Sequence, residues 1–462
     1  MALSRLRAAL GRLEIRVDGW SERRFRRVVL GGLVAFALIH LAAFVLLTRP
    51  GPDERWLGSV SYGDIARHLV AGRGFSMDGV HPTAWRPPVY PLLLAGVMKL
   101  AGGAWLAVAL ALQAALGVIA GWLVVALSEA LFARRIVALL AAGLYVTDGL
   151  FQFEVLAQRE TIVFTVALLA WLLTVARGVR GPAEAAALAG LAGLVYLTRP
   201  TGLFVALLTP VLLLAAVRRS ETRRPVAALG AAAVVFLACA LPWHLHVLRA
   251  FETLSFLPTS TSGLMLYKGT VPDLDDVYPM ADVDLLDPWI ERRLEARGLA
   301  HDEVGANRWL REEGLRHLRE RPGHWLGRAA VKVGALWSPL RTPFGTGDLV
   351  EDPDGRFRLE GFSLVSPLTV LFAPHALLVL LGSIFFAARA ARARFDVRGT
   401  LVTVGALVAI VTALHAATVG ETRYRLFFDP LLALFTAASI AGVPSGRRTG
   451  RSEDADGGAN DG

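Results

Sequence analysis

Acids and arginines gather in a few places along an otherwise apolar chain. Asp64, Asp148, Glu154, Glu160, Glu421 and Asp429 stand near Arg67, Arg86, Arg159, Arg199, Arg423 and Arg425, all at the borders of apolar runs. A carboxylate can serve as general base toward a hydroxyl or amine. An arginine can hold a phosphate bidentately. Together these groups suit transfer of a group from a lipid phosphate to an acceptor. Nucleophilic acyl chemistry would need a Ser/His/Asp or Cys/His set, and the sequence suggests none. It also contains neither GxxxxGK[ST] nor HExxH, which argues against an ATP-driven pump and a zinc peptidase. His244 and His246 are two apart, so they face different sides of a helix and read as helix-end histidines. His375 reads as a packed residue inside a span. Cys239 is the single cysteine, which excludes a disulfide framework and a cysteine metal cluster.

The elements that must position these groups are membrane spans. Of 462 residues, 54% are apolar and 19% charged, below the roughly 25% charged of a soluble domain. The mean hydropathy is +0.50. Disordered and fibrous classes are excluded, and so is an ordinary cytosolic enzyme. The net charge of +9 could suggest nucleic acid. The arginines, however, fall between apolar runs, as they do in cytoplasmic loops, so no nucleic-acid partner is expected.

Apolar runs at 28–48, 104–126, 136–152, 160–178, 183–198, 200–217, 226–247, 364–388, 399–419 and 425–444 are read as ten spans. The first is longer than a signal-peptide core and ends in Arg49-Pro50, so it is read as uncleaved. Arg-rich joints, such as Arg134/Arg135 and Arg218/Arg219, are placed on the cytoplasmic side. That parity lays 87–103 and 326–340 along the membrane surface as interfacial helices. The expected organisation is a cytoplasmic N-terminus (1–27) and a transmembrane core (28–247) with an outer loop at 49–103. An outer segment (248–362), C-terminal spans (363–444) and a disordered cytoplasmic tail (445–462) follow. The fold class is thus an all-α polytopic membrane protein in a cell membrane. Charge is nearly absent from the middles of the spans. Ion-coupled transporters keep ionisable groups there, so a site at the noncytoplasmic lipid–water boundary fits better.

Several motifs are familiar. The stretch from Tyr62 to Phe75 (YGDIARHLVAGRGF) resembles the first outer loop of polyprenyl-phosphate-sugar glycosyltransferases of the GT-C class. That group includes protein O-mannosyltransferases and the lipid A aminoarabinose transferase. Trp85–Ala95 (WRPPVYPLLLA) is similar to the RPPxYPLLLA segment of that family. Glu160 is similar to the acid of its "SE" position, and Tyr196–Gly202 (YLTRPTG) to its LTRP turn. Glu421–Pro430 (ETRYRLFFDP) resembles its RYRxPxxP segment. The resemblance covers most of the chain and is weakest over 248–362. The family carries its catalytic Asp about four residues before the tyrosine aligned with Tyr62, where this chain has Gly58. Asp53 and Glu54 lie upstream. Asp64, inside the best-matched stretch, is the favoured replacement.

The resemblance implies an inverting transfer of a sugar from a polyprenyl-phosphate-linked donor to an envelope lipid, glycan or protein acceptor. The base is Asp64 or Glu160. Asp148 and Glu154 are weaker alternatives to Glu160. Arg67, Arg86, Arg423 and Arg425 are candidates for the phosphate, and Tyr62 and Tyr90 for the sugar pocket. Arg199 reads as a turn and boundary residue. A divalent metal could share the charge on the phosphate, but no metal cage is visible. Two rival readings remain: a lipid or polysaccharide transporter, and a noncatalytic donor-binding relative suggested by Gly58.

Overall fold

The computed structural model describes the chain except residues 1, 50–59, 158, 220–221, 254, 256, 272–286, 341–347, 352–356, 361–366, 393–397 and 443–462. Gly58, Asp53, Glu54 and the C-terminal tail therefore lie outside the described residues.

Helices dominate. The first half holds α1 (Ala2–Asp18), α2 (Glu22–Thr48), α3 (Val60–Val70), α4 (Val89–Ala101), α5 (Trp105–Phe132), α6 (Arg135–Val146), α7 (Gly149–Leu156), α8 (Thr161–Arg177), α9 (Pro182–Thr198), α10 (Gly202–Arg218) and α11 (Pro225–Phe251). Then come α12 (Ser262–Thr270), α13 (Asp287–Glu295), α14 (Glu303–Glu320) and α15 (Pro322–Trp337). A short antiparallel hairpin, β1 (Asp348–Glu351) with β2 (Phe357–Glu360), precedes α16 (Pro367–Arg392), α17 (Arg398–Ala417) and α18 (Asp429–Ile440). The chain is an all-α polytopic membrane protein in which a single hairpin is added among the described residues.

Among the described residues, five helical runs are long and apolar enough to cross a membrane: Glu22–Thr48, Val89–Phe132, Pro225–Phe251, Val370–Ala391 and Gly399–Ala417. The pair α6 and α7 would make a sixth, although it bends by 65°. Three shorter apolar helices, α8, α9 and α10, have 17 residues each, about 25 Å of length.

Each expected span has a helix, but two differ in form. The run 136–152 is broken rather than continuous. Asp148 caps α7 by accepting from the Phe151 N–H at 3.1 Å, and a capping acid starts a new helix instead of continuing the old one. The run expected from 425 starts as 3₁₀ turns, and α18 begins only at Asp429. Pro430 lacks an N–H, which suits the first turn of a helix and not its interior. The border expected at 103/104 appears as a 3₁₀ turn, where Gly102 adopts φ +53° between α4 and α5.

Tight packing holds the bundle. In lipid, helix association relies on close van der Waals contact, so small residues collect at interfaces. Helices α9 and α11 show this: a Cβ on Gly193 would lie 2.9 Å from Cys239 Cβ, and one on Gly190 3.3 Å from Val235. Trp171 of α8 is fully buried in the main core and donates from Nε1 to Thr209 Oγ1 of α10 at 3.1 Å. The polar face of α14 docks on α12 through Gly263. A Cβ there would overlap the Asn307 carbonyl oxygen, and the Gly263 N–H donates to Asn307 Oδ1.

Candidate active site

The site grows from three breaks in helices. The first follows α7. Ala157 leaves the helix in an extended conformation, and Glu160 becomes the residue that opens α8, its carbonyl accepting from the Phe164 N–H at 2.9 Å. The second is the C-terminus of α9. Arg199 is extended, as a residue before proline prefers, and Pro200 prevents the helix from continuing. The third is the irregular stretch from Glu421 to Phe428 between α17 and α18.

These breaks bring Glu160 and Arg199 together. Arg199 Nε lies 3.7 Å from Glu160 Oε1, with 7% and 13% of the two side chains exposed. Tyr62 of α3 lines the same cavity and brings its hydroxyl into the field of Glu160. Burial, and next the charge of Glu160, push that hydroxyl well above its usual range, so it stays a donor. Arg86 donates from Nε to Ser61 Oγ at 2.9 Å and lies 4.9 Å above the Tyr62 ring. Its neighbours Pro87 and Pro88 lead directly into α4, which fixes the approach of the guanidinium. Arg199 is further bracketed by the rings of Tyr424 and Phe427, at 5.5 and 5.2 Å.

Together they line a polar cavity of about 70 Å³. Its charged walls are Arg86, Arg159, Arg199, Lys268 and Arg423 against Glu154, Glu160 and Asp287, an excess of two positive charges. Glu154 accepts from Thr161 Oγ1 at 2.8 Å and faces Arg159 at 3.8 Å. Glu421 pairs with Arg423 at 2.9 Å. Lys268, at the end of α12, bonds to Asp287 at the start of α13. Two wall atoms, Arg199 Nη1 and Glu154 Oε2, are buried without a hydrogen-bond partner among the described residues. Buried polar atoms are normally bonded, so orphans in a cavity mark where a ligand would bond.

Of the residues singled out from sequence, Tyr62, Arg86, Glu160 and Arg423 meet in this cavity. Tyr90 stands one layer behind, its ring edge-on to Tyr62 at 5.2 Å and its hydroxyl accepting from Gln113. Asp64 and Arg67 are not in the wall. They pair with each other at 2.6 Å on a partly exposed face of α3. Arg425 is buried elsewhere, 3.4 Å from Asp429, and donates to the Trp337 carbonyl.

The sequence reading undervalued Arg199, whose role as a turn residue is real but also aims its guanidinium inward. It missed Lys268 and Asp287, which fall where the family motifs are weakest. Their only sequence signal is a lone lysine in the apolar, glycine-bearing stretch Ser262–Thr270.

A second cavity is apolar. A cleft of about 800 Å³ lies between α16, α17 and α18, lined by Leu380, Phe386, Gly405, Val408, Phe428 and Phe435 among others. Phe428 lies four residues after Tyr424, a wall residue of the polar cavity.

The sequence profile of the dolichyl-phosphate-mannose-protein mannosyltransferases matches residues 85–246. That range carries Arg86, Glu154, Arg159, Glu160 and Arg199. The match agrees with the class read from the motifs. No curated protein sequence matches the chain. Among solved structures, ArnT from Cupriavidus metallidurans is similar in two states. Bound to undecaprenyl phosphate, it is 14% identical with a TM-score of 0.37, over 89% of this chain and 78% of that one. In the apo state the values are 17% and 0.37, over 89% and 76%.

Proposed function

We propose that this chain, whose residues 85–246 match the mannosyltransferase profile, is a GT-C glycosyltransferase that carries out inverting transfer of a sugar from a polyprenyl-phosphate donor to a hydroxyl acceptor. The observation that carries the proposal is the polar cavity in which Glu160 meets Arg199, Arg86 and Tyr62.

The chemistry follows from the wall. Glu160 takes the proton from the acceptor hydroxyl as that oxygen attacks the anomeric carbon. The bond from the anomeric carbon to the phosphate oxygen breaks on the opposite face, and the polyprenyl phosphate leaves with the electron pair. One displacement inverts the configuration and needs no covalent intermediate. The donor phosphate is a diester with one negative charge, and the leaving monoester gains a second. A wall with an excess of two positive charges is therefore better matched to the product side of the reaction than to the ground state. That is the differential stabilisation that lowers a barrier. Arg199, with a free buried Nη1, and Arg86 are the residues we assign to the phosphate.

The apolar cleft supports the same reading, because a polyprenyl tail needs an apolar channel continuous with lipid. We place the tail between α16, α17 and α18, with its phosphate toward Tyr424. The reacting side of the membrane, by the arginine distribution, is the noncytoplasmic one.

The test is release of free polyprenyl phosphate by the protein in lipid, from a panel of polyprenyl-phosphate sugars, with an envelope extract supplying acceptors. Release that depends on one sugar supports the assignment. Transport of labelled donor with no release from any of them would replace it with a carrier.

A further inference from the structure

Away from the polar cavity, Asp78, His81 and His301 come together at the surface, although 301 is far from 78–81 in the chain. The His81 and His301 rings stack at 4.9 Å with 17° between their planes. Asp78 Oδ2 lies 2.7 Å from His81 Nδ1. One ligand atom from each of the three lies within 4.8 Å of the others. Two atoms bound to one zinc ion at about 2.1 Å each can be at most about 4 Å apart. In a tetrahedral site the separation is about 3.4 Å, so rotations that move the ligand atoms of these exposed side chains by roughly an ångström would close the set.

The turn that presents these groups is already built. Asp78 Oδ1 accepts from Ser76 Oγ and from the N–H groups of Val80 and His81. Gly79 takes φ +80°, and a Cβ there would sit 3.0 Å from the His68 ring, so only glycine fits without displacement. A bridge between Ser76 and Pro82 closes the loop. Two of three donors are therefore fixed by the same short segment, and the third is brought by the turn before α14.

We infer that Asp78, His81 and His301 form a binding site for a borderline divalent transition ion of the zinc type. Two imidazoles and one carboxylate suit zinc, and match poorly the all-oxygen preference of magnesium or calcium. Three protein ligands leave a position for water. The site ties the 76–82 loop to the start of α14. Two residues on from His301, Glu303 accepts from Thr83 Oγ1 and from the Ala84 N–H, immediately before Trp85 and Arg86 of the polar cavity. The ion would thus staple the segment that delivers Arg86, at a distance from the reacting atoms. This inference does not depend on the proposed transfer reaction.

The test uses the full-length protein in detergent, stripped with a chelator and titrated with Zn²⁺ alone by calorimetry, with bound metal counted by mass spectrometry. One equivalent per chain is expected, weakened at least tenfold in His81→Ala and in His301→Ala. His40→Ala, on the distant helix α2, should bind as wild type does. Hydrogen exchange of residues 75–84 should slow on adding Zn²⁺ to wild type and stay unchanged in His301→Ala. Substoichiometric binding by wild type would overturn the inference. So would equal affinity in folded His81→Ala and His301→Ala proteins.

Discussion

Arg199 and Glu160 form a buried ion pair at 3.7 Å, joining the last residue after α9 to the residue that opens α8. The pair is loose, and Arg199 Nη1 remains without a hydrogen-bond partner among the described residues. A purely structural buried pair is usually closed by further bonds, because an unsatisfied buried charge is costly. Arg199 also lines the polar cavity, beside Glu160.

Arg199 should therefore matter more for the phosphate than for the fold. We expect Arg199→Lys to keep the charge but lose the planar fork. Donor turnover should fall by about 10–100-fold, in line with a loss of one charge-assisted bond of about 1.5–3 kcal/mol. Steady-state release of polyprenyl phosphate, together with the melting temperature, checks this. Normal turnover with a collapsed melting temperature would make Arg199 structural.

The apolar cleft offers an independent handle. Gly405 lines it, and a side chain there would meet open space. Gly405→Trp should fill the tail channel while leaving the fold intact. The expected result is a raised KM for long-chain donors, with a smaller effect on a donor carrying a truncated tail. An equal KM for both chain lengths would move the tail elsewhere.

Arg425 looked like a phosphate ligand in sequence, but it is buried against Asp429 with 2% and 5% of their side chains exposed. Removing one partner of a buried pair typically costs about 3–5 kcal/mol. Arg425→Met should thus lower the melting temperature markedly. A stable variant that has lost only donor turnover would return Arg425 to the active site.

Lys332 of α15, a helix read as interfacial, provides a pH signature. Burial, and next the charge of Arg328, pull its ammonium down to about 7 from an ordinary 10.5. A lysine depressed in the folded state binds fewer protons there than in the unfolded chain. Its contribution to stability is full above 10.5 and is lost as pH falls through about 7. Melting temperatures of wild type should climb between these values, and Lys332→Met should flatten that climb. Parallel curves would show that Lys332 does not titrate as its surroundings imply.

Much of this was legible in the chain. Apolar runs of span length mark where helices form, and arginine joints mark where they stop. What they could not show was the bend at Asp148, because a capping carboxylate inside an apolar run leaves the hydropathy nearly unchanged. The motifs pointed to Tyr62, Arg86, Glu160 and Arg423, which line one cavity; Glu160 and Arg423 sit at breaks between helices, and Arg86 precedes the two prolines that lead into α4. Asp64 lies two residues from Tyr62, but the helix places it on another face, against Arg67 and outside the cavity wall. Lys268 and Asp287 reach the cavity only through the docking of α12 and α13, a tertiary relation with no local signature.

Glu160, and not Asp64, is the base we propose. The direct measurement is single-turnover release of polyprenyl phosphate by wild type, Glu160→Gln and Asp64→Asn in the same lipid, with folding checked by melting. Glu160→Gln should lose about 10²–10⁴-fold in rate, the usual contribution of a general base. Asp64→Asn should stay within a few-fold of wild type. Rapid release by a folded Glu160→Gln protein, or loss of release in Asp64→Asn alone, would rule out Glu160 as the base.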